Sequence, residues 1–435
     1  MSALPMETRA LIAREHALPA LRILLDPSAL AARGMIVRYL RLKPGTSVVA
    51  GLETPVGPAF ALATSPRSAV KLEKAVARAP ADSVLHHDRT LRLLIARPGA
   101  DRHLPGLRAL AQKASDAPAS PDHPWDATPG RPAPEPAALT LAYKPQRRWV
   151  GRRRGEHGAA TGPVLRVYRG GRLADFAARW PRPHAEGGLP LRVPRILAEH
   201  PRRAMMETEV LPGTRLDLLA DAGARCEALR EAGIAIARLH RRPVPSRVAA
   251  PLPDPRELAA QITSLLPEEG QRAEEIAAQL TSWLPARDAH DGPTATEPET
   301  AVWCHGDFSA DQLLVGPDGL ALLDWDRSGA SHPSRDLATA DAAGLSAPGW
   351  EALLTGYDEV ASVPKDLGMA RAHAHFARAA EPLRTGDPSW PCALRAALAE
   401  TEALLGDPAG LSAVRSATGQ SAPSGLSSSA ASEED

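Results

Sequence analysis

The chain reads as an α+β protein with a β-rich N-terminal half, a mainly helical C-terminal half and a cleft between them. Three observations predict this. Short β-branched runs bounded by turn residues crowd 35–97 and 138–210, the apolar period lengthens to that of a helix from Leu216 onward, and within 302–338 polar residues interrupt short β runs at fixed offsets. Clefts between lobes are where small ligands bind.

Residues 35–62 mix β-branched and polar positions (MIVRYLRL, then TSVVAGLET) around the turn Lys43-Pro44-Gly45, and TLRLLIAR at 90–97 adds a strand, so 1–112 is expected to form a β-rich cap. The Pro/Ala/Ser-rich segment 113–137 reads as a disordered linker, as does the tail 408–435. A second strand group fills 138–210: LTLAY, the turn Lys144-Pro145-Gln146-Arg147, RWVGR and Val164-Leu165-Arg166-Val167-Tyr168. KPxxxxV occurs in both units, at Lys43 and Lys144, a match too short to establish a repeat. In 218–240, Leu229, Ala232, Ile236 and Leu239 recur at helical spacing, and 255–284 and 369–405 read as further helices, which makes 211–407 the helical lobe.

Lys+Arg and Asp+Glu are both 51, so net charge argues for neither nucleic acid nor an anionic membrane as partner. Cys226, Cys304 and Cys392 stand far apart and match no metal-ligand spacing, which suits a reduced, cytoplasmic setting. Glu7, Arg9, Arg14, Glu15 and Arg22 interrupt the first thirty residues, so no signal-peptide core is expected there, and no later stretch approaches a membrane span.

The informative stretch is VWCHGDFSADQLLVGPDGLALLDWDRSGASHPSRDLA at 302–338. Val302-Trp303-Cys304 forms a short strand ending at His305-Gly306-Asp307. Gln312–Val315 and Leu320–Leu323 then make a hairpin around Gly316-Pro317-Asp318-Gly319, returning Asp324 beside Asp307 and Gln312. Phosphoryl transfer to a hydroxyl needs one carboxylate to orient and deprotonate the acceptor, and oxygen ligands to hold Mg²⁺ against the phosphates. Those three side chains supply the oxygens. Acids in turns are common, and the joint spacing is what argues against ordinary surface residues.

His-Gly-Asp, four residues, an amide, then a hydrophobic hairpin into Asp-Trp resembles the catalytic loop and metal aspartate of aminoglycoside phosphotransferases and choline-kinase-like enzymes. The resemblance spans about 140–405. It implies a protein-kinase-like two-lobe fold, ATP and Mg²⁺ as cofactors, and a small-molecule hydroxyl (aminoglycoside, sugar or amino alcohol) as acceptor. Asp307 is then the catalytic base, Gln312 and Asp324 the metal ligands, and His305, Asp326 and Asp336 (in Ser331–Ala338) structural supports. RAAEPLRTGDPSWP at 378–391 resembles a helical segment of bacterial phosphotransferases of this group, and 1–112 the cap of maltokinase-like relatives.

The nucleotide side is less well marked. RILA and RAMMETEV, followed by LPGTRL, resemble the last small-lobe strands and the hinge, which places backbone near Glu209 and Val210 against adenine. Relatives carry a phosphate-gripping lysine in a strand like VLRVY, where Arg166 stands; Lys144 is a rival contact, and Asp175 a weak candidate partner for Arg166. No G-x-G-x-x-G occurs, and GRRRGEHGAATG at 151–162 reads as a hairpin connection. Gln312 stands where the family usually has asparagine. Arg166 and Gln312 together motivate the alternative, a catalytically impaired, pseudokinase-like nucleotide- or metabolite-binding module. His240 reads as a helix-terminus group, and His373 and His375 lie on different helix faces. The Arg147–Arg154 run suits ATP phosphate as well as nucleic acid, and Glu268, Glu269, Glu274 and Glu275 are either an acidic surface for a cationic acceptor or a solvated helix face.

Overall fold

Two antiparallel five-stranded sheets with the same strand order organise the first half of the chain. The computed structural model describes residues 4–112, 138–154, 160–181, 189, 191–244, 249–250, 252–288 and 301–407. The linker 113–137 and the tail 408–435 therefore lie outside the described residues.

The first sheet contains β1 (Ile36–Lys43), β2 (Ser47–Thr54), β3 (Gly57–Thr64), β4 (Val84–Asp88) and β5 (Leu93–Ala96), in the order β1-β2-β3-β5-β4. The second contains β6 (Ala138–Lys144), β7 (Arg148–Arg154), β8 (Ala160–Tyr168), β9 (Ile196–His200) and β10 (Met205–Thr208), in the order β6-β7-β8-β10-β9. Each inserts a helix after its third strand, Ala69–Arg78 in the first and Leu173–Arg179 in the second. The two Lys-Pro turns close the equivalent hairpins, and the third turn residue is left-handed in both: Gly45 at φ 62° and Gln146 at φ 62°. The short KPxxxxV match thus marks the same place in two copies of one topology. Strands β7 and β8 also run further into 151–162 than a simple connection would allow.

Both faces of the first sheet are buried, which is why β2 reads as the near-continuous apolar run VVAGL. Leu40, Val48, Ala50 and Leu52 pack with Leu11 and Leu21 of the N-terminal helices and with Ile262, Leu280, Phe376, Trp390 and Leu394 of the C-terminal helices. Val49, Phe60 and Leu94 pack instead against Tyr143, Trp149, Leu165, Val167 and Met205 of the second sheet. The first unit is therefore wedged between the second sheet and the last helices of the chain.

The helical half packs around Ala222–His240 and Ala347–Asp358, which approach so closely that only glycine fits at two crossing points. A Cβ on Gly233 would stand 2.1 Å from the Leu353 carbonyl, and one on Gly356 1.9 Å from that of Arg230. Further helices run Pro255–Leu265, Gly270–Asp288, Leu367–Arg378, Glu381–Thr385 and Trp390–Gly406. Below the second sheet, β11 (Thr214–Arg215), β13 (Leu313–Gly316) and β14 (Gly319–Leu322) form a three-stranded sheet, and β12 (Val302–Cys304) pairs with β15 (Gly329–Ser331). Strands β11 and β15 carry no signal in the sequence, being too short for a period to show. This is the expected α+β arrangement, a β-rich lobe and a mainly helical lobe, with an extra sheet added at the N-terminus. No helix among the described residues is long and apolar enough to cross a membrane.

Candidate active site

The hairpin of β13 and β14 builds the site. Leu313 pairs with Leu322, and the ladder continues as the Leu323 N–H donates to the Gln312 carbonyl at 2.9 Å, which sets Gln312 one residue from Asp324. His305 Nε2 bonds the Leu323 carbonyl at 2.7 Å and its ring meets Trp325 edge-on at 4.9 Å. Leu323 thus ties the His305–Asp307 loop to both Gln312 and Asp324. Asp324 takes the left-handed conformation (φ 58°, ψ 59°), rare for a residue with a Cβ and found where surrounding structure enforces it.

Asp336 organises the loop that carries Asp307. Buried completely, it accepts from the backbone N–H of His305 (2.8 Å) and of Gly306 (2.7 Å), and its Oδ2 lies 3.1 Å from His240 Nε2. His240 Nδ1 in turn lies 3.0 Å from the Tyr357 hydroxyl. Burial would raise the Asp336 pKa, but the hydrogen bond and charge of His240, the charge of His305 and the Gly306 N–H together outweigh it and hold the carboxylate below its ordinary range. His240 is therefore part of the site's support and not merely a charge at a helix end; its partners come from residues 96 and 117 positions away, which a helical period does not reveal. Gly306 at φ 80° lets the loop pass the Arg327 backbone, where a Cβ would meet the carbonyl at 2.3 Å, and Arg335 Nη2 bonds the Gly306 carbonyl at 3.2 Å. Asp307 is left partly exposed, with Oδ1 3.4 Å from Arg327 Nη1.

Two arginines of the second sheet close on the acidic turn. Arg148 grips Asp324 with Nη1 (2.7 Å) and Nη2 (3.0 Å) and also bonds Asp326. Arg166, in β8, donates to Asp324 Oδ1 at 3.0 Å and stacks its guanidinium over Trp180 at 4.9 Å. The Tyr168 hydroxyl donates to Asp326 at 2.8 Å. Burial alone would raise the Asp324 pKa; the charges of Arg148 and Arg166 reverse that and hold it far below the usual carboxylate range. Arg148 belongs to the basic run Arg147–Arg154, and only the fold assigns it a carboxylate partner. Asp175, the weak candidate for Arg166, pairs instead with Arg172 at 2.7 Å.

The remaining expected contacts spread along the cleft. Lys144 ends β6, where burial and repulsion from Arg148 and Arg327 lower its pKa against the opposing charges of Glu381 and Asp307. Gln312 donates its amide to Asp311 Oδ2 at 2.9 Å, leaving Oε1 as its acceptor. The Glu209 N–H is spent on the Arg195 carbonyl (2.9 Å) and its carboxylate on Arg195 Nε (3.1 Å), while the Val210 side chain is 39 % exposed. Glu268 and Glu269 are drawn into ion pairs with Arg395 and Arg272, while Glu274 and Glu275 stay exposed on their helix.

A family model described as the phosphotransferase enzyme family matches residues 150–375, more than half the chain and all of the arginine–aspartate cluster except Arg148. The chain belongs to the phosphotransferase enzyme family. Among solved structures, this phosphotransferase-family chain is similar to a choline/ethanolamine kinase family protein from Mesorhizobium loti, with 20 % identity over 62 % of this chain and 89 % of that one at a TM-score of 0.42. It is also similar to an aminoglycoside phosphotransferase from Streptomyces rimosus, with 17 % identity over 55 % and 92 % at 0.41. A choline kinase from Streptococcus pneumoniae gives 15 % identity over 61 % and 93 % at 0.39. No curated protein sequence matches the chain.

Proposed function

We propose that this phosphotransferase-family chain transfers the γ-phosphoryl group of ATP to a hydroxyl of a small polar molecule. The observation that carries the reading is the hub at Leu323, which ties the loop bearing Asp307 to both Gln312 and Asp324. Asp307 accepts the acceptor's hydroxyl proton as the oxygen bonds the γ-phosphorus, and the bond to the bridging oxygen breaks, leaving ADP with the electron pair. Arg166 and Arg148 hold phosphate oxygens, Lys144 adds a charge at the mouth, and the segment at Glu209 and Val210 lines the base. His305 and Asp336 keep the loop in register, and Asp326 orients Arg148 through its ion pair.

Asp324 and the side-chain Oε1 of Gln312 would supply hard-oxygen donors of the kind Mg²⁺ takes, and both residues stand at one end of a single hairpin. Bound there, the ion would neutralise charge on the triphosphate. Arg148 and Arg166 neutralise Asp324, so Asp324 would hold the ion where triphosphate oxygens take up the two guanidiniums.

Thermal melts distinguish this from a binding module without turnover. Mg²⁺ alone should leave the midpoint unchanged, ATP alone should raise it slightly, and Mg-ATP should raise it most, with the metal-dependent part lost in Asp324→Asn. A metal-independent ATP shift with no turnover on any hydroxyl acceptor would favour the pseudokinase reading.

A further inference from the structure

Three buried side chains of different kinds converge behind the His305–Asp307 loop. His240 ends the helix Ala222–His240, Cys304 ends β12, and Asp336 stands in the first turn of the helix Ser334–Ala342. His240 Nε2 lies 3.1 Å from Asp336 Oδ2 and 3.9 Å from Cys304 Sγ, and one donor atom of each side chain lies within 4.8 Å of the other two. Cys304 and Asp336 are fully buried, and His240 is 6 % exposed. Among the described residues no other three of His, Cys, Asp and Glu approach one another in this way. Supporting the loop uses only part of the arrangement. Asp336 accepts from the N–H groups of His305 and Gly306, and His240 fixes the carboxylate. Neither bond requires a thiol, yet the Cys304 sulfur is brought up to His240 Nε2 and to the His332 carbonyl, the latter at 3.3 Å.

These separations suit one tetrahedral metal ion. Zn²⁺ takes thiolate sulfur at about 2.3 Å, imidazole nitrogen at about 2.0 Å and carboxylate oxygen at about 2.0–2.2 Å, so its ligands stand roughly 3–4 Å from one another. The His332 carbonyl, at that spacing from the sulfur, supplies a fourth donor. A thiolate and a carboxylate offset the two charges of the ion, so the filled site is neutral, as a buried site must be. His240 Nδ1, 3.0 Å from the Tyr357 hydroxyl, has the second hydrogen bond that orients a metal-bound imidazole. Sulfur and nitrogen donors favour Zn²⁺ over Mg²⁺, which sets this group apart from the oxygen donors of Gln312 and Asp324. The three ligands come from three distant elements, so no spacing in the sequence announces them.

We propose that His240, Cys304 and Asp336 form a Zn²⁺ site that braces the loop carrying Asp307. On binding, the Cys304 thiol releases its proton to solvent. The neutral His240 imidazole moves its proton from Nε2 to Nδ1, where it donates to the Tyr357 hydroxyl, and Asp336 Oδ2 exchanges the His240 hydrogen bond for the metal. Asp336 Oδ1 keeps the Gly306 N–H. The ion links three elements where the hydrogen bond links two. The site stands independently of the phosphotransferase reading, since none of its ligands touches the Arg148–Arg166–Asp324 cluster.

The test uses the full chain, stripped of metal with a chelator, and Zn²⁺ and Cd²⁺ as probes. Calorimetric titration should show Zn²⁺ binding with a Kd of about micromolar or tighter, and the thermal midpoint should rise with Zn²⁺ and not with Mg²⁺. Cd²⁺ should add the ultraviolet absorption of a cadmium–thiolate bond, and a Cys226→Ser, Cys392→Ser double variant should keep it. Cys304→Val should lose that absorption and weaken Zn²⁺ binding by about a hundredfold or more, against about tenfold for Tyr357→Phe, which removes only the orienting partner. Asp324→Asn should leave Zn²⁺ binding unchanged. If Cys304→Val does not fold, Cys304→Ser carries the same expectation for the Cd²⁺ absorption, and the Cys226, Cys392 double variant reads the site with Cys304 in place. Absence of Zn²⁺ binding in the wild type overturns the proposal. So does Zn²⁺ binding that is unchanged in Cys304→Val, or that is lost in Asp324→Asn, which would assign the ion to the acidic turn.

Discussion

Arg148 holds both carboxylate oxygens of Asp324, at 2.7 and 3.0 Å, across 176 residues of chain. The pair joins the small lobe to the acidic turn, and with Arg166 and Asp326 it makes a four-charge cluster that is neutral as a whole. Removing one cation leaves two buried carboxylates against a single guanidinium. Arg148→Met should therefore lower the unfolding free energy by roughly 3 kcal/mol in urea titrations, the usual cost of orphaning a buried charge. The double variant Arg148→Met, Asp324→Asn should lose clearly less than the sum of the single changes. Additive losses would mean that the two side chains do not stabilise each other.

Asp336 sets an acid limit on the fold. Its folded pKa is depressed: burial would raise it, and His240, His305 and the Gly306 N–H together outweigh that. A depressed carboxylate contributes stability that is fully present above its unfolded value of about 4 and is lost as pH falls through the folded one. Denaturation midpoints should thus decline below about pH 4, and Asp336→Asn should flatten that decline while lowering stability at pH 7. An unchanged slope in the variant would show that Asp336 is not the titrating group.

Gly306 is a conformational requirement of the His305–Asp307 loop. Any side chain there adopts φ 80° with its Cβ 2.3 Å from the Arg327 carbonyl, so Gly306→Ala must shift the loop that carries Asp307. Transfer activity should fall by about a hundredfold, as small displacements of a positioned group do, with nucleotide affinity nearly intact. Wild-type kcat in Gly306→Ala would show that the loop tolerates the shift.

What could be read in advance follows from how locally each feature is encoded. The β13–β14 hairpin, its turn and the residues at its ends lie within a few positions of one another, so spacing alone placed Gln312 and Asp324 at one end of it. The strands of the second sheet were legible in alternation and turn residues, whereas the order of strands within either sheet was not, and the matching Lys-Pro turns were too short a signal to establish the repeated topology. Arg148, His240 and Tyr357 were not legible, because each acts on a residue from a distant element, and a basic run or a helix end looks the same whether or not a carboxylate faces it. The merging of the first sheet with helices near residues 262–280 and 372–404 was hidden for the same reason: both contributors read as ordinary apolar faces.

The measurement that bears most directly on the account is phosphoryl transfer from γ-labelled ATP with Mg²⁺, comparing the wild type with Asp307→Asn at equal nucleotide saturation. The wild type should label a hydroxyl acceptor, and the variant should bind nucleotide equally well yet lose at least about a thousandfold in kcat, since the proton acceptor and the orienting charge are both gone. Comparable turnover in Asp307→Asn would contradict the assignment of this loop as the centre of the reaction.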